Sequence, residues 1–173
     1  VYRGEHDQWG KVAVKVMDRK QVPLHRMNRE QALLLKLAEV DGAGSTNVIK
    51  WRCREDTKTQ VLLGMELCEC SLHQLITERK SGNAPTAKQQ QRIVRELCEG
   101  VMFLHEHSII HRDIRPKNIL IKSGGFDGAV KITGDLYITT MCYAYITYVC
   151  IVQISDCRRI LTRWTRTSRP PRP

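Results

Sequence analysis

Short runs of alternating apolar and polar residues dominate the first part of the chain and predict strands. The runs cover 1–4, 11–17, 48–53 and 60–67. A polar stretch joins the first two runs, and the polar residues 54–59 join the last two, so each pair is expected to fold back as a hairpin. The pattern therefore predicts a strand-rich first part.

Apolar residues recur at helical spacing in two longer stretches, 24–40 and 86–107. In each stretch they fall on one face of a helix, which predicts two amphipathic helices that pack by that face. A short helix is also expected at 71–76. The apolar positions behind these predictions are Leu33, Leu34, Leu37 and Val40 in the first stretch and Ile93, Val94, Leu97, Val101 and Leu104 in the second.

Two further strand patterns follow the second long helix, at 118–122 and 129–133. The stretch between them, 123–128, is rich in glycine and typical of a turn, so the two runs are expected to pair. Strands come first and helices later, which predicts an α+β fold. The 173 residues suffice for one domain or for part of a larger one.

The segment 136–154 is uncharged over 19 residues, and three interpretations of it stay open. It is just long enough to cross a bilayer, and basic residues follow it, so a membrane span is one interpretation. A buried strand pair is the second. Translated non-coding sequence is the third, and it ranks first because the segment begins where a recognisable pattern breaks.

The net charge and the cysteine content limit the expected partners and the expected cellular compartment. The net charge is +10, of which +5 lies in the Arg-rich tail 156–173. Because that tail has little to bury, it is expected to be a solvated, disordered end, and nucleic acid is not an expected partner of this fragment. Seven cysteines without a CxxC pair suit reduced thiols in a cytosol-facing domain. The start at Val1 and not at Met suggests a fragment.

The stretch HRDIRPKN at 111–118 has a spacing that suits phosphoryl transfer. Its carboxylate, Asp113, and its amide, Asn118, lie five residues apart on a predicted loop and can face one point. A carboxylate there can orient an attacking hydroxyl and take its proton, while an amide oxygen can hold a metal. The guanidinium of Arg115 could meet phosphate oxygens as a planar fork. These residue types at this spacing predict a phosphoryl-transfer site.

With this motif, residues 1–133 resemble a eukaryotic protein kinase of the Ser/Thr type. The stretch VAVK at 12–15 is similar to the third-strand motif of that family. The resemblance implies a truncated, protein-kinase-like α+β fold. A small strand-rich N-lobe would cover 1–67, and the beginning of a helical C-lobe would cover 68–133. The segment 134–155, uncharged and apolar but for its first residues, would lie outside this partial domain.

The resemblance also implies ATP and Mg²⁺ as cofactors and assigns residues to them. Lys15 would hold the phosphates and Glu30 would pair with it. Asp113 would be the catalytic aspartate, Arg115 would stand for the usual lysine, and Asn118 would be a magnesium ligand. The nucleotide would meet Val1 at the trailing edge of a glycine-rich loop, the apolar residues Ala13 and Leu120, the gatekeeper Met65, and the backbone from Glu66 to Cys68.

The sequence departs from the kinase pattern at 134–136. Gly134, Asp135 and Leu136 stand where Asp-Phe-Gly is expected. A slip of one residue along a strand turns a side chain to the opposite face, so Asp135 is not expected to be the principal metal ligand. The glycine-rich loop, activation segment and Ala-Pro-Glu motif are also missing from the chain.

Two functions stay open. The first is an ATP-dependent protein serine/threonine kinase that phosphorylates a protein hydroxyl. The second is a catalytically inactive pseudokinase fragment that binds a nucleotide or a partner protein. A third interpretation places a kinase-like part on a membrane through 136–154.

Within the family, the stretches 66–76 and 105–121 look most like the unfolded-protein-response sensor kinase/endoribonucleases and the related ribonuclease L. That resemblance implies a homodimer, a role in unfolded-protein-response or RNA-processing signalling, and a location in the cytosol or on the cytosolic face of the endoplasmic-reticulum membrane. The ribonuclease module that follows the kinase domain in those proteins is not expected here.

Overall fold

The computed structural model describes residues 1–38, 46–77, 85–134 and 137–138, apart from the side chains of 24, 26, 29–31, 34, 38, 137 and 138. Four antiparallel strands form the first sheet, in the order β1-β2-β4-β3. They are β1 (Tyr2–His6), β2 (Gly10–Asp18), β3 (Trp51–Asp56) and β4 (Gln60–Glu66). The predicted first hairpin is confirmed, with Arg3 opposite Ala13.

The second hairpin is confirmed, and β4 begins at Gln60 as predicted. Its first strand lies later than predicted, since β3 begins at Trp51 and the turn covers only 57–59. Val48 and Ile49 have strand-like apolar side chains, but they are buried away from this sheet. Val48 forms a bridge with Ile132, and the backbone N–H of Ile49 donates to the Ile132 carbonyl at 2.9 Å. A sequence pattern does not reveal which sheet a buried residue joins, so the prediction of 48–53 was wrong at both ends.

The polar residues 54–56 continue β3 because an edge strand can keep one face in water. Arg54 and Arg19 both pair with Asp56 on this exposed surface. The following turn is closed by Thr57, whose hydroxyl accepts from the N–H of Gln60 at 2.9 Å. Polar composition alone had placed these residues in the turn.

Helix α1 (Leu24–Ala38) confirms the first predicted helix, while residues 39–45, which include Val40, lie outside the described set. Leu33 and Leu37 are buried, as the helical spacing predicted. The N-terminal part of α1 covers the sheet through a small apolar cluster of Met27 with Met17, Val61 and Leu63.

Helix α3 (Ala87–Glu106) is the main support of the second part of the molecule and confirms the second predicted helix. Thr86 caps it: its hydroxyl accepts from the Gln89 N–H at 3.3 Å, and the Gln89 side chain accepts from the Thr86 N–H at 2.9 Å. This reciprocal capping box fixes where the helix begins. The buried stripe of α3 enters the larger core through Ile93, Leu97, Val101 and Leu104.

The larger core joins α3 to short strands and to α2 (Leu72–Thr77), which confirms the predicted short helix. The strands β5 (Cys70–Ser71), β7 (Ile119–Ile121) and β8 (Val130–Ile132) form a three-stranded sheet in the order β5-β7-β8. Strands β7 and β8 pair antiparallel, as predicted. Gly100 lets α3 approach β8, since a Cβ there would lie 2.8 Å from Cδ1 of Ile132.

Hydrogen bonds hold the turn between β7 and β8 against α3. Arg92 donates to the carbonyls of Phe126 and Gly128, and the Glu96 carboxylate accepts from the Val130 N–H at 2.9 Å. Gln89 donates to the Asp127 carboxylate at 2.9 Å. These contacts set the position of β8, and thereby of the residues that follow it.

The uncharged segment 136–154 is described only at β9 (Tyr137–Ile138), which pairs antiparallel with β6 (Ile109–Ile110). The rest of that segment and the tail 156–173 lie outside the described residues, so the interpretations of both stay predictions. Across the described ranges, no helix is long and apolar enough to cross a membrane.

Candidate active site

The stretch 111–118 forms a loop between β6 and β7, and His111 anchors it. The imidazole is buried, its Nε2 lies 2.9 Å from the Thr133 carbonyl, and its Nδ1 accepts from the Asp113 N–H at 3.2 Å. Because Nδ1 accepts and Nε2 faces a carbonyl, the neutral tautomer with hydrogen on Nε2 fits both contacts. Arg112 has a φ of 62°, which turns the chain sharply beside this anchor.

Asp113 and Asn118 meet as the sequence spacing predicted. The Asn118 amide donates to the Asp113 carboxylate at 2.7 Å and to the Asp113 carbonyl at 2.9 Å. The Arg115 Nε lies 3.0 Å from the same carboxylate oxygen. A single turn of 3-10 helix, Pro116–Asn118, brings the amide back to the carboxylate. The loop thus presents an oriented carboxylate on local contacts.

The loop forms one wall of a cavity of about 670 Å³ whose opposite wall is the first sheet. This volume is typical of small-molecule sites in proteins. Nine of the eleven residues predicted for the site line it: Val1, Ala13, Lys15, Met65, Glu66, Asp113, Arg115, Asn118 and Leu120. Residues far apart in the sequence therefore meet at one place. Their roles toward a nucleotide stay predictions.

The other two predicted residues do not join them in the described structure. Glu30 lies on α1, but its side chain is outside the described set, so its pairing with Lys15 stays a prediction. Cys68 lies between β4 and β5 and does not line the cavity. Burial, with the nearby carboxylate of Glu66, raises the pKa of the Cys68 thiol to about 11. Its predicted contact is through the backbone and stays untested.

The side chain of Glu66 has a role that the sequence did not reveal. It is buried at the end of β4, and its Oε1 lies 3.0 Å from the buried ammonium of Lys131 on β8. The same oxygen accepts from the Lys50 N–H at 2.9 Å. Its Oε2 is 3.3 Å from Lys122, without a well-formed hydrogen bond in the described structure. The pair ties the first sheet to β8 beside the cavity.

Burial and the neighbouring charges shift the pKa of Glu66 in opposite directions. Burial pushes the pKa of its carboxyl upward, but the Lys50 N–H and the ammonium groups of Lys131 and Lys122 outweigh it and hold the pKa below its ordinary value. Glu66 is therefore an anion in the folded protein at neutral pH. A signal for this pair was present in the sequence: Lys131 is the one charge in the apolar run AVKIT.

Gly134 follows β8 at the point where the kinase pattern calls for a carboxylate. It lines the cavity and has a φ of +141°, a conformation that favours glycine. A Cβ there would lie 3.0 Å from the His111 ring and 3.5 Å from the Asn118 amide nitrogen. Position 134 therefore faces the predicted metal-binding amide but offers no side chain to a metal.

The described residues fit Mg²⁺ poorly. Mg²⁺ is held by one or two carboxylates together with phosphate and water oxygens. The described catalytic loop offers one carboxylate, Asp113, and it already accepts from Asn118 and faces Arg115. Asp135 lies outside the described set, and no group of three or more His, Cys, Asp or Glu residues that could hold a metal occurs within it.

Lys117 is a cavity residue that the sequence interpretation missed. It stands between Pro116 and Asn118, inside the motif itself, and its side chain is exposed. Its position in HRDIRPKN was visible, but one lysine in a basic chain carries no signal of a site. Its place on the cavity wall, which it shares with Lys15, is what marks it.

Comparison with known proteins agrees with this geometry. The protein kinase domain family matches residues 1–136. Similar proteins include a probable serine/threonine-protein kinase, irlB, of Dictyostelium discoideum, 30% identical over 126 residues, which are 72% of this chain and 8% of that protein. Another is the serine/threonine-protein kinase/endoribonuclease ireA of Aspergillus fumigatus, 35% identical over 125 residues, which are 70% of this chain and 10% of that protein.

A third similar protein is the probable serine/threonine-protein kinase fhkE of Dictyostelium discoideum, 30% identical over 125 residues, or 71% of this chain and 17% of that protein. The chain thus spans less than a fifth of the length of each of these relatives. The family match covers most of the chain and includes every residue of the candidate site. This chain belongs to the protein kinase family.

Proposed function

We propose that the cavity binds ATP and that the chain carries the nucleotide and catalytic-loop part of a protein serine/threonine kinase. One observation carries the proposal: Asp113, oriented by Asn118 at 2.7 Å, lies on the same cavity as Lys15 of β2. A base fixed opposite a phosphate-holding cation is the arrangement that phosphoryl transfer to a hydroxyl requires.

The walls of the cavity support a nucleotide. Ala13 on β2 and Leu120 on β7 line it from opposite sides, which suits a flat adenine ring between two apolar residues. Ala13 is paired with Met65 in the sheet, so the gatekeeper position lies beside the same surface. Lys15, two residues along β2 from Ala13, faces the same cavity and would reach the phosphates.

In the proposed reaction, Asp113 accepts a hydrogen bond from a serine or threonine hydroxyl of the protein substrate. The hydroxyl oxygen attacks the γ-phosphorus, the bond to the β-phosphate oxygen breaks, and ADP leaves. The hydroxyl proton passes to Asp113. The contacts of Asp113 to Asn118 and Arg115 hold its carboxylate in place.

Mg²⁺ would, in this family, screen the phosphates and bridge them. Among the described residues Asn118 is the one predicted ligand, and no group of three or more His, Cys, Asp or Glu residues that could hold a metal occurs there, so no step of the proposed reaction depends on Mg²⁺. A second candidate function, a nucleotide-binding module without transfer, is favoured by Gly134, which leaves the position beside Asn118 without a carboxylate.

The signalling context is proposed on similarity alone. The kinase/endoribonuclease ireA is among the similar proteins, and the hinge and loop sequences resemble the sensor-kinase group. On this similarity we propose a role in unfolded-protein-response or RNA-processing signalling and, from the resemblance to that group alone, a homodimer.

The test is transfer of the γ-phosphoryl group of radiolabelled ATP to casein by the 173-residue chain and by Asp113→Asn. Loss of the base should lower the rate by about 10²–10⁴-fold. Nucleotide binding, followed by the ligand-induced rise in Tm, should persist in the variant. Asp7→Asn is the matched control, since Asp7 lies in the exposed turn between β1 and β2.

The outcomes separate the candidates. Transfer by the parent chain that Asp113→Asn abolishes supports the kinase. Nucleotide binding without transfer supports the second candidate. If neither binding nor transfer is seen, both functions are wrong for this chain.

A further inference from the structure

We propose that the cavity binds the polyphosphate of its nucleotide without a divalent cation, and that Lys117 and Arg115 supply the positive charge that a metal would otherwise provide. This inference rests on the proposed binding of ATP. It concerns how the phosphates are neutralised, and so whether the site selects for di- and triphosphates.

The charges on the cavity wall favour an anion. Among the described lining residues four are cationic, and these are Lys15, Arg112, Arg115 and Lys117. Two are carboxylates, Glu66 and Asp113. A polyanion leaving water needs such an excess of opposite charge, because an uncompensated charge is costly to desolvate.

Of the two carboxylates, Glu66 is paired with lysines outside the cavity, and Asp113 offsets part of the charge of Arg115. Glu66 points its carboxylate to the buried Lys131, 3.0 Å away, and to Lys122, neither of which lines the cavity. Asp113 is engaged by Asn118 and by Nε of Arg115. The guanidinium of Arg115 has further N–H donors that phosphate oxygens can accept from.

Lys117 contributes a charge that the described structure does not use. Its side chain is exposed on the cavity wall, and it has no ion pair or side-chain hydrogen bond to another described residue. The 3-10 turn Pro116–Asn118 carries Lys117 one residue before Asn118. An ammonium on the cavity wall can meet a phosphate oxygen of a bound nucleotide.

Gly134 also lines the cavity. A Cβ there would be 3.5 Å from the Asn118 amide nitrogen, so this position could carry a ligand and does not. Among the described residues, the site thus has an exposed cation at position 117 and no carboxylate at position 134. Both differences favour direct binding of phosphate by side-chain cations.

The experiment is a fluorescence titration of the 173-residue chain with N-methylanthraniloyl-ATP, in EDTA and in excess MgCl₂. The Kd in EDTA should be equal to or lower than the Kd in MgCl₂, since Mg²⁺ removes charge from the nucleotide. Competition by unlabelled ligands should weaken in the order ATP, ADP, AMP, adenosine.

Lys117→Gln should raise the Kd in EDTA by about 3–10-fold, as expected for one partly exposed charge contact to phosphate. Lys58→Gln is the matched control, because Lys58 is exposed in the turn between β3 and β4, away from the cavity, and should leave the Kd unchanged. Thermal melts confirm that both variants fold.

Binding that requires MgCl₂ overturns this inference but leaves the proposed ATP site standing. Binding in EDTA that Lys117→Gln does not weaken overturns the role of Lys117. Absence of binding in both buffers overturns the inference together with the proposed function.

Discussion

The loop 111–118 and the end of β8 meet on the same cavity but are built differently. The loop fixes Asp113 through neighbours within five residues, chiefly His111, Arg115 and Asn118. Strand β8 is fixed by residues distant in the sequence, and after Thr133 it continues into Gly134, which has no side chain. The loop therefore presents an oriented carboxylate, whereas β8 leads into a well-defined position that has no side chain.

Each residue of β8 nevertheless has a hydrogen bond or an ion pair to a residue of another element or loop. Val130 bonds to Glu96, Lys131 to Glu66, and the Ile132 carbonyl accepts from the Ile49 N–H. The Thr133 N–H donates to the Asn118 carbonyl at 3.0 Å. A strand held this firmly keeps its geometry when the residue after it changes. The fold can therefore preserve the site around a position where a metal ligand is missing.

The largest effect is expected from breaking the support of β8 at Lys131. Lys131→Met removes the buried partner of Glu66 and leaves that carboxylate with the half-exposed Lys122. Breaking a buried ion pair from one side costs about 3–5 kcal/mol, and we expect the lower part of that range because Lys122 remains. Urea unfolding measures the loss in free energy of unfolding.

Lys122→Met is the matched control for Lys131→Met, since the same carboxylate loses a lysine that is 52% exposed. A loss of about 1 kcal/mol or less in the free energy of unfolding is expected.

The stability that the Glu66–Lys131 pair contributes should depend on pH in one direction. Because the pKa of Glu66 is lowered in the fold, the stability from this pair is present above the ordinary value of 4.5 and is lost as the pH falls through the folded value. The difference between parent and Lys131→Met should narrow below pH 4.5; a constant difference would contradict the ion pair as its source.

The next effect is expected at His111, which joins the loop to the end of β8. His111→Ala leaves the Thr133 carbonyl and the Asp113 N–H without this partner and opens a cavity. Together these should lower the free energy of unfolding by about 2–3 kcal/mol. His25→Ala, at an exposed position of α1, should change it by about 0.5 kcal/mol at most. Equal melting temperatures for the two variants would show that His111 does not hold the loop against the end of β8.

The smallest effect is expected at Gly134 itself. Gly134→Ala forces a Cβ onto a backbone with φ +141° and to within 3.0 Å of the His111 ring, which should cost about 1–2 kcal/mol. Gly10→Ala is the matched control, since Gly10 also has a positive φ, +61°, but open space around it; about 1 kcal/mol is expected. A Gly134→Ala variant that is more stable than Gly10→Ala would mean that position 134 is not constrained by His111.

Several elements were predictable because their signals are local. Helix α3 has an apolar stripe and a capping box within its own sequence, and the β1–β2 hairpin has two strand patterns around a polar turn. The loop around Asp113 was predictable for the same reason: its contacts join residues that lie within a few positions of each other. Because these hydrogen bonds join residues that are close in the sequence, the residues that form them make up a short sequence motif.

Other features needed contacts between distant residues. The position of β3 depended on Val48 and Ile49 joining Ile132, more than 80 residues away. The Glu66–Lys131 pair links residues 65 positions apart, and nothing in either local sequence specifies the partner. Lys117 is distinguished only by the cavity that it lines, and the contacts of Gly134 with His111 and Asn118 follow only from the fold.

By itself, the sequence determined the family, the order of the longer strands and helices, and a loop whose carboxylate and amide meet, because each depends on neighbouring residues or on fixed spacing. Only the tertiary structure decided that Glu66 ties the sheet to β8, that Lys117 lies on the cavity wall, and that Gly134 faces Asn118 without a side chain. The physical reason is that burial, charge balance and metal ligation depend on which distant groups come within a few ångströms, and a linear pattern does not contain those distances.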